Sequence, residues 1–392
     1  MAKKKDSVKN EAKNVEKKGG FSKFLLFASI AVVIVSVGAL QFYITLTSVP
    51  DLPKFDLDTC WGSNCTQNTD IRKFRIVFHE AVIPLLLLHG WPTSIKEFYE
   101  SVPLLTTAKP GYDFVFELIV PSLPGFGFSQ GPVRRGLTTY QIAIVMRNLM
   151  ERLGHKQFYV HGGNLGHNIG SHMATLFSNQ VLGFHTTFPV NFSKIADWLW
   201  VIGSLWPSLV SNEFVDRMYP LSDKLAYYLE EFGYLHLQAT KPDSIGIALQ
   251  DSPVGLCAYI NDRILSLTDP SNKLREDGGL VNYNTTDLVD NVMVYWSTGS
   301  ITTSLRLYKE ISANQDMEDV LAQIPTPVPT WALRPKHELY HSPDFVLRWK
   351  YPNLLGITNL DEGGHYLAFE KPVAFSDDIF KAVDSFLKFK NK

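Results

Sequence analysis

From about residue 83 onward, short apolar runs alternate with amphipathic stretches. IPLLLLHG (83–90) is uninterrupted and ends at Gly90, the pattern of a strand buried on both faces. FVFELIV predicts a second strand, closed by the Pro/Gly turn of PSLPGFGFS. Residues 137–154, LTTYQIAIVMRNLMERLG, carry apolar positions three and four apart, with Thr138 or Thr139 to cap a helix and Gly154 to stop it. QFYV and VLGFHTTFPV are the next strands. PTWALRP (329–335) and LLGITNLDEGGHY continue the series, and SDDIFKAVDSFLKF closes it as a helix. Such alternation predicts the α/β class: a mostly parallel sheet with helices on both faces.

Between about 194 and 310 the pattern changes. KIADWLWVIGSLWPSLV, SDKLAYYLEEFGYLHL and DLVDNVMVYWSTGSITTSLRLYKE read as helices with no strand between them. An inserted helical cap (194–310) thus interrupts one α/β domain (83–193 and 311–392). The three indoles of DWLWVIGSLWP, Trp198, Trp200 and Trp206, are read as the cap's own core; the other reading is an apolar surface that meets lipid headgroups.

The amino terminus departs from this pattern. Residues 1–23 hold eight lysines and few apolar groups, the composition of a disordered basic tail. Residues 24–46, FLLFASIAVVIVSVGALQFYITL, are 23 positions without a charge, long enough to cross a bilayer as a helix. The length of the apolar run favours an uncleaved signal anchor over a cleaved leader. With the lysines ahead of the span and only Lys54 close behind it, the folded domain is expected to face a lumen or the exterior. Residues 47–82 form a linker. Cys60 and Cys65 can close a small disulfide loop in an oxidising compartment or stay as two thiols. Asn64, Asn191 and Asn284 each begin a glycosylation sequon. A formal net charge of -2 offers no field for nucleic acid, and the three cysteines have no zinc-type spacing.

Candidate chemistry centres on HGGNLGHNIG (161–170). A strand, a sharp turn with Gly162 and Gly166, and a helix have the layout of a nucleophile elbow, in which small neighbours let the central side chain stand out at the top of a sheet. The central position holds Asn164, a neutral amide. HGWP, after the first strand, lies where a second oxyanion-hole amide belongs, that of Trp91; the elbow supplies the first, from Leu165. Glu338, in PKHELYHSP, and His365, in DEGGHYLAFEKP, follow in the order nucleophile, acid, histidine.

At these residues the chain resembles the microsomal epoxide hydrolases, including the juvenile-hormone epoxide hydrolases. The likeness runs from about residue 83 to the carboxyl end. It rests on HGWP, PSLPGFGFS, GGNLG, TKPDSIGIALQDSPVGLCAYI, EDGGL, NVMVYWSTGSI, RLYKE, HELYHSP and GGHYLAFE, in that order. The resemblance implies an α/β-hydrolase fold with a helical cap and a two-step reaction on a small lipophilic epoxide. An elbow Asp opens the ring to an ester, and a water activated by the histidine hydrolyses the ester to a vicinal diol. It implies that Tyr234 and Tyr308 hydrogen-bond the epoxide oxygen. No metal or organic cofactor is implied, since water is the only cosubstrate.

Three departures from the family pattern stand out. The family carries Asp followed by Trp where this chain has Asn164 and Leu165. The interval between span and first motif is only 36 residues (47–82), where the family has a long segment packed around the domain. The lumenal orientation differs from the family's generally cytosolic catalytic domain. Because a carboxamide lacks the full charge of a carboxylate, ring opening is expected to be impaired as encoded. Three outcomes follow: self-deamidation of Asn164 by the surviving His365–Glu338 pair restores an Asp, a water activated by that pair attacks the epoxide directly with the tyrosine pair, or the molecule binds an epoxide or apolar lipid without turning it over.

Overall fold

All six strands of the sheet run parallel in the order β2-β1-β3-β4-β5-β6: β1 Ala81–Leu88, β2 Phe114–Ile119, β3 Phe158–Gly162, β4 Val181–Thr186, β5 Thr330–Arg334 and β6 Leu354–Asn359. They come from a computed structural model that describes residues 81–210, 215–276, 279 and 283–390. The basic tail, the apolar span 24–46, linker residues 47–80, Cys60, Cys65 and Asn64 lie outside the described residues. Among those described, no helix is long and apolar enough to cross a membrane.

Alternation along β1 shows why its run is apolar throughout. Leu86 and Leu88 face one layer with Val160, and Leu85 and Leu87 face the other with Tyr159. The first layer is closed by helices Thr139–Arg152 and Asn164–Leu176, the second by Pro372–Lys390. Helix Thr139–Arg152 begins where expected: the Gln141 side chain accepts the Thr138 amide at 2.8 Å. Gly154, at φ 90°, ends it. From β1 the chain goes to one side for β2 and to the other for β3. The carboxyl ends of β1 and β3 therefore border a topological switch point, where ligands bind in open α/β sheets.

Between β4 and β5 the chain is helical. Two expected helices are each split in two. Leu221–Glu231 and Gly233–Thr240 break at Phe232, and Thr285–Thr298 stops at Gly299, at φ 65°, before Ile301–Ala313. Two more helices, Pro242–Asp251 and Pro253–Ser266, each start with a proline in the first turn, where its missing N–H is not needed. Trp200 stacks on Tyr228 at 6.2 Å and its carbonyl accepts the Tyr219 hydroxyl, so this indole belongs to the cap's packing. Trp198 is half-buried. Trp206 is 65% exposed and stands with Val201, Ile202 and Leu205 on an apolar ridge, against the core reading for that ring.

Two sequons fall on described residues and differ in availability. Asn191 is buried, donating to the Val346 carbonyl and accepting the Ser193 amide, so in the fold it is closed to modification. Asn284 is exposed and caps helix Thr285–Thr298 through the Thr286 amide.

Candidate active site

The elbow is tight because its glycines permit backbone contact that any side chain would block. A Cβ on Gly162 would lie 2.0 Å from the Gly166 carbonyl oxygen, and one on Gly166 would lie 2.1 Å from that of Leu88. Asn164 itself has φ 50° and is the one non-glycine residue with positive φ among those described. Such backbone costs on the order of 1 kcal/mol and persists where the surroundings over-determine it. Here it aims residue 164 out of the turn toward the carboxyl end of β1. A Cβ on Gly90 would meet Asn164 Oδ1 at 2.3 Å, so this glycine, too, is required by close approach.

Asn164 is bonded at both ends of its amide. Oδ1 accepts the backbone amides of Trp91 at 3.1 Å and Leu165 at 2.6 Å. Nδ2 stands 2.6 Å from His365 Nε2, and His365 Nδ1 stands 2.6 Å from Glu338 Oε1. Two N–H donors on one side require an acceptor there, which fixes which amide atom is the oxygen. The remaining polarity follows. Nδ2 donates to a neutral His365, whose Nδ1–H donates to the Glu338 carboxylate. The chain of bonds that begins at Glu338 thus ends in the two amides that would hold an oxyanion. Glu338 Oε1 also accepts the Leu339 amide at 2.6 Å, and Phe188 meets the His365 ring edge-to-face at 4.9 Å.

The turn that carries the Trp91 amide is held from several directions. His89 Nε2 accepts the Leu123 amide while Nδ1 donates to the Gly90 carbonyl; burial lowers this imidazole to about 4, so it stays neutral. From helix Thr285–Thr298, Asn291 Nδ2 donates to the Pro92 carbonyl at 2.9 Å and the Tyr295 hydroxyl donates to that of Thr93 at 2.6 Å. Tyr366 reaches the Trp91 carbonyl at 3.3 Å. Asn291 and Tyr295, four apart on an apolar helix, were not singled out from the sequence. Their i, i+4 polar spacing within NVMVYWSTGSI is the signal that points to them.

Above this floor sit the two cap phenols. The Trp91 ring stacks under Tyr234 at 5.4 Å and meets Tyr308 edge-to-face at 5.8 Å; the two phenols are 6.4 Å apart. Burial holds both phenols above the usual tyrosine range, with Tyr234 adding to the shift of Tyr308, so both keep their protons. Among the described residues neither hydroxyl has a protein hydrogen-bond partner, whereas those of Tyr295 and Tyr366 do. Two O–H donors therefore remain for a ligand oxygen. All seven residues singled out from the sequence, Asn164, His365, Glu338, Tyr234, Tyr308, Trp91 and Leu165, converge here. The assembly offers a base, an oxyanion hole and a pair of proton donors around a carboxamide.

Comparison with known proteins agrees with this architecture. Residues 83–221 match the family model described as alpha/beta hydrolase fold. The chain is 49% identical over 312 residues to the juvenile hormone epoxide hydrolase of Bombyx mori, covering 79% of this chain and 68% of that one. It is 38% identical over 307 residues to epoxide hydrolase 1 of Oryctolagus cuniculus, covering 76% and 68%. The crystal structure of the silkworm juvenile hormone epoxide hydrolase superimposes with a TM-score of 0.78 at 47% identity, over 81% of this chain and 76% of that one. The chain belongs to the microsomal epoxide hydrolase family, with which the juvenile hormone epoxide hydrolases are grouped.

Proposed function

We propose that this chain is an epoxide hydrolase whose nucleophile is made after folding, by hydrolysis of its own Asn164 side chain. The observation that carries the proposal is the double engagement of that amide. Its carbonyl oxygen already occupies the oxyanion hole, and its nitrogen already faces His365 Nε2. A water that takes the place of the Nδ2 hydrogen bond gives a proton to Nε2 and attacks Cγ. The Trp91 and Leu165 amides hold the resulting oxyanion, and the imidazolium returns its proton to Nδ2 as the C–N bond breaks. Ammonia leaves and an aspartate remains at position 164. Amides hydrolyse far more slowly than esters, but this event is needed only once per molecule.

The mature carboxylate then opens a lipophilic epoxide. Tyr234 and Tyr308 donate to the ring oxygen, and one of them gives up its proton to the alkoxide. His365 deprotonates a water that attacks the ester carbonyl carbon, whose oxygen uses the same two amides. As the C–O bond breaks, the alkoxide takes the proton of the new carboxylic acid and leaves as the diol, and the proton on His365 restores the tyrosine. Residues of this chain supply each of these groups. The test follows intact mass and diol formation together in freshly made protein. A gain of about 1 Da that tracks the onset of turnover supports the reading; prolonged incubation with neither change overturns it.

One observation favours a second reading, a binder that retains the pocket and loses the chemistry. Both ends of the Asn164 amide are satisfied, and a neutral side chain at this partly buried site avoids the desolvation cost of a carboxylate. An Asn164→Asp variant with no turnover, together with tight binding of an epoxide by the encoded chain, selects this reading.

The proposal extends to location. The uncharged run 24–46 anchors the chain in the endoplasmic reticulum membrane with the domain on the lumenal side, as the lysine bias suggests. The exposed ridge of Val201, Ile202, Leu205 and Trp206 supports contact with lipid headgroups, from which an apolar substrate would enter. Protease protection of the domain in sealed microsomes tests the orientation; full digestion without detergent contradicts it.

A further inference from the structure

Two carboxyls, Glu97 buried and Glu370 partly so, lie behind the site and take no part in the chemistry above. Glu370 accepts the Gly364 amide at 3.0 Å and the Tyr283 hydroxyl at 2.9 Å, which ties down the segment carrying His365. Glu97 lies on the other side, in the short 3-10 turn Ile95–Phe98 that follows HGWP, and is 5% exposed. The Thr93 hydroxyl donates to Glu97 Oε2 at 2.6 Å. Glu97 therefore holds the Thr93 end of the Gly90–Thr93 turn, whose middle presents the Trp91 amide to residue 164. The same carboxyl lies within the electrostatic reach of His365.

We propose that Glu97 is a positioning residue for the hydrolytic half-reaction: it fixes the turn that aims the Trp91 amide, and its charge favours the imidazolium form of His365 while that ring holds the proton of the attacking water. The inference rests on the hydrolase reading above. Its physical basis is that a buried imidazolium is favoured by each ionised carboxyl near it. Glu338 meets His365 through one oxygen, and its Oε2 is a buried atom with no hydrogen-bond partner among the described residues. A second ionised carboxyl acting through a low-dielectric interior adds to the field that Glu338 supplies.

Burial raises Glu97 to about 7, opposed by the Thr93 hydrogen bond and by His365, so the carboxyl changes charge within the working range of the reaction. The groups around it set the background. Tyr295, Tyr283 and Tyr366 are protonated phenols within its field, each raised by burial. On its own turn Lys96 is paired with Asp287 and Asp290 of helix Thr285–Thr298. Glu370, from the segment after His365, is also raised to about 7 by burial and feels His365. Among these groups only Glu97 and Glu370 change charge near 7, and they can be separated by substitution.

The sign is direct. Below about 7 Glu97 is neutral and contributes no field; above it the carboxylate assists proton uptake by His365, so ester hydrolysis accelerates through this pH. The experiment uses the full chain carrying Asn164→Asp, with ring opening and ester hydrolysis resolved by single-turnover kinetics between about pH 5.5 and 8.5 on styrene oxide. Glu97→Gln keeps the shape and the Thr93 contact and removes the charge. It should leave ring opening within about twofold, slow ester hydrolysis at about pH 8 by about tenfold and abolish the inflection near 7. Glu370→Gln should retain that inflection. If Glu97→Gln does not fold, Glu97→Asp gives the same information, because a shorter side chain displaces the inflection. An inflection unmoved by any change at position 97, one that vanishes with Glu370→Gln, or equal losses in both half-reactions would overturn the role. An Asn164→Asp protein that forms neither ester nor diol is a different result: the hydrolase reading then fails and takes this inference with it.

Discussion

The floor and the roof of the pocket are held by opposite means. On the floor, Asn164, His365 and Glu338 are linked end to end by hydrogen bonds of 2.6 Å, and the Trp91 turn is fastened by side chains from other segments. On the roof, Tyr234 and Tyr308 are placed by ring contact with Trp91 and with each other, and among the described residues their hydroxyls have no protein partners. Bonds on the floor fix dipoles before any ligand arrives, as stabilisation of a developing charge requires. Packing on the roof fixes rings without consuming donors, so the donors remain for the ligand. Trp91 joins the two halves, with its amide serving the floor and its ring the roof.

The largest expected break in this comparison is at the floor's centre. Asn164→Asp replaces one heavy atom and leaves the side-chain shape in place; diol formation in freshly purified protein should rise by on the order of 10⁴ over the unconverted chain. In that background, His365→Gln should permit ring opening and stop ester hydrolysis. Turnover should fall by on the order of 10³, and the covalent ester should appear as added mass equal to the whole substrate. The roof should give way more gradually. Tyr234→Phe and Tyr308→Phe should each slow ring opening by roughly tenfold and the double variant by about 10²-fold or more, since each removes one of two donors to the same oxygen. Single-turnover ring-opening rates measure this; a double variant no slower than the single ones would break the proposed pairing. The smallest effect belongs to the brace beneath Trp91. Tyr295→Phe leaves the buried Thr93 carbonyl without its donor and should lower stability by about 1–3 kcal/mol, read as a fall in thermal midpoint.

Local signals read from the sequence fared best where one principle dominates. The six strands were legible because each is a short apolar run next to turn residues, and the elbow because Gly162 and Gly166 flank a polar centre. The helix breaks were harder. Phe232–Gly233 and Gly299–Ser300 interrupt stretches whose apolar spacing continues across the break, so periodicity alone carries over it. Helices Pro242–Asp251 and Pro253–Ser266 went unread, although both prolines mark helix starts. Within the site, residues in named motifs were legible and their supports were not. Glu97 looks like any charged residue in IKEFYE, and only the fold shows that it is buried against Thr93. Trp206 was assigned to the cap core on composition, and its exposure depends on which face of the cap turns outward, a tertiary fact.

One backbone contact links access to reactivity. The amide of His365 donates to the Leu267 carbonyl, at the end of the cap helix Pro253–Ser266, at 3.0 Å. His365 is thus fastened to the cap as well as to the segment that follows β6. A substitution that shifts this end of the cap helix therefore reaches the backbone of residue 365 through a single hydrogen bond.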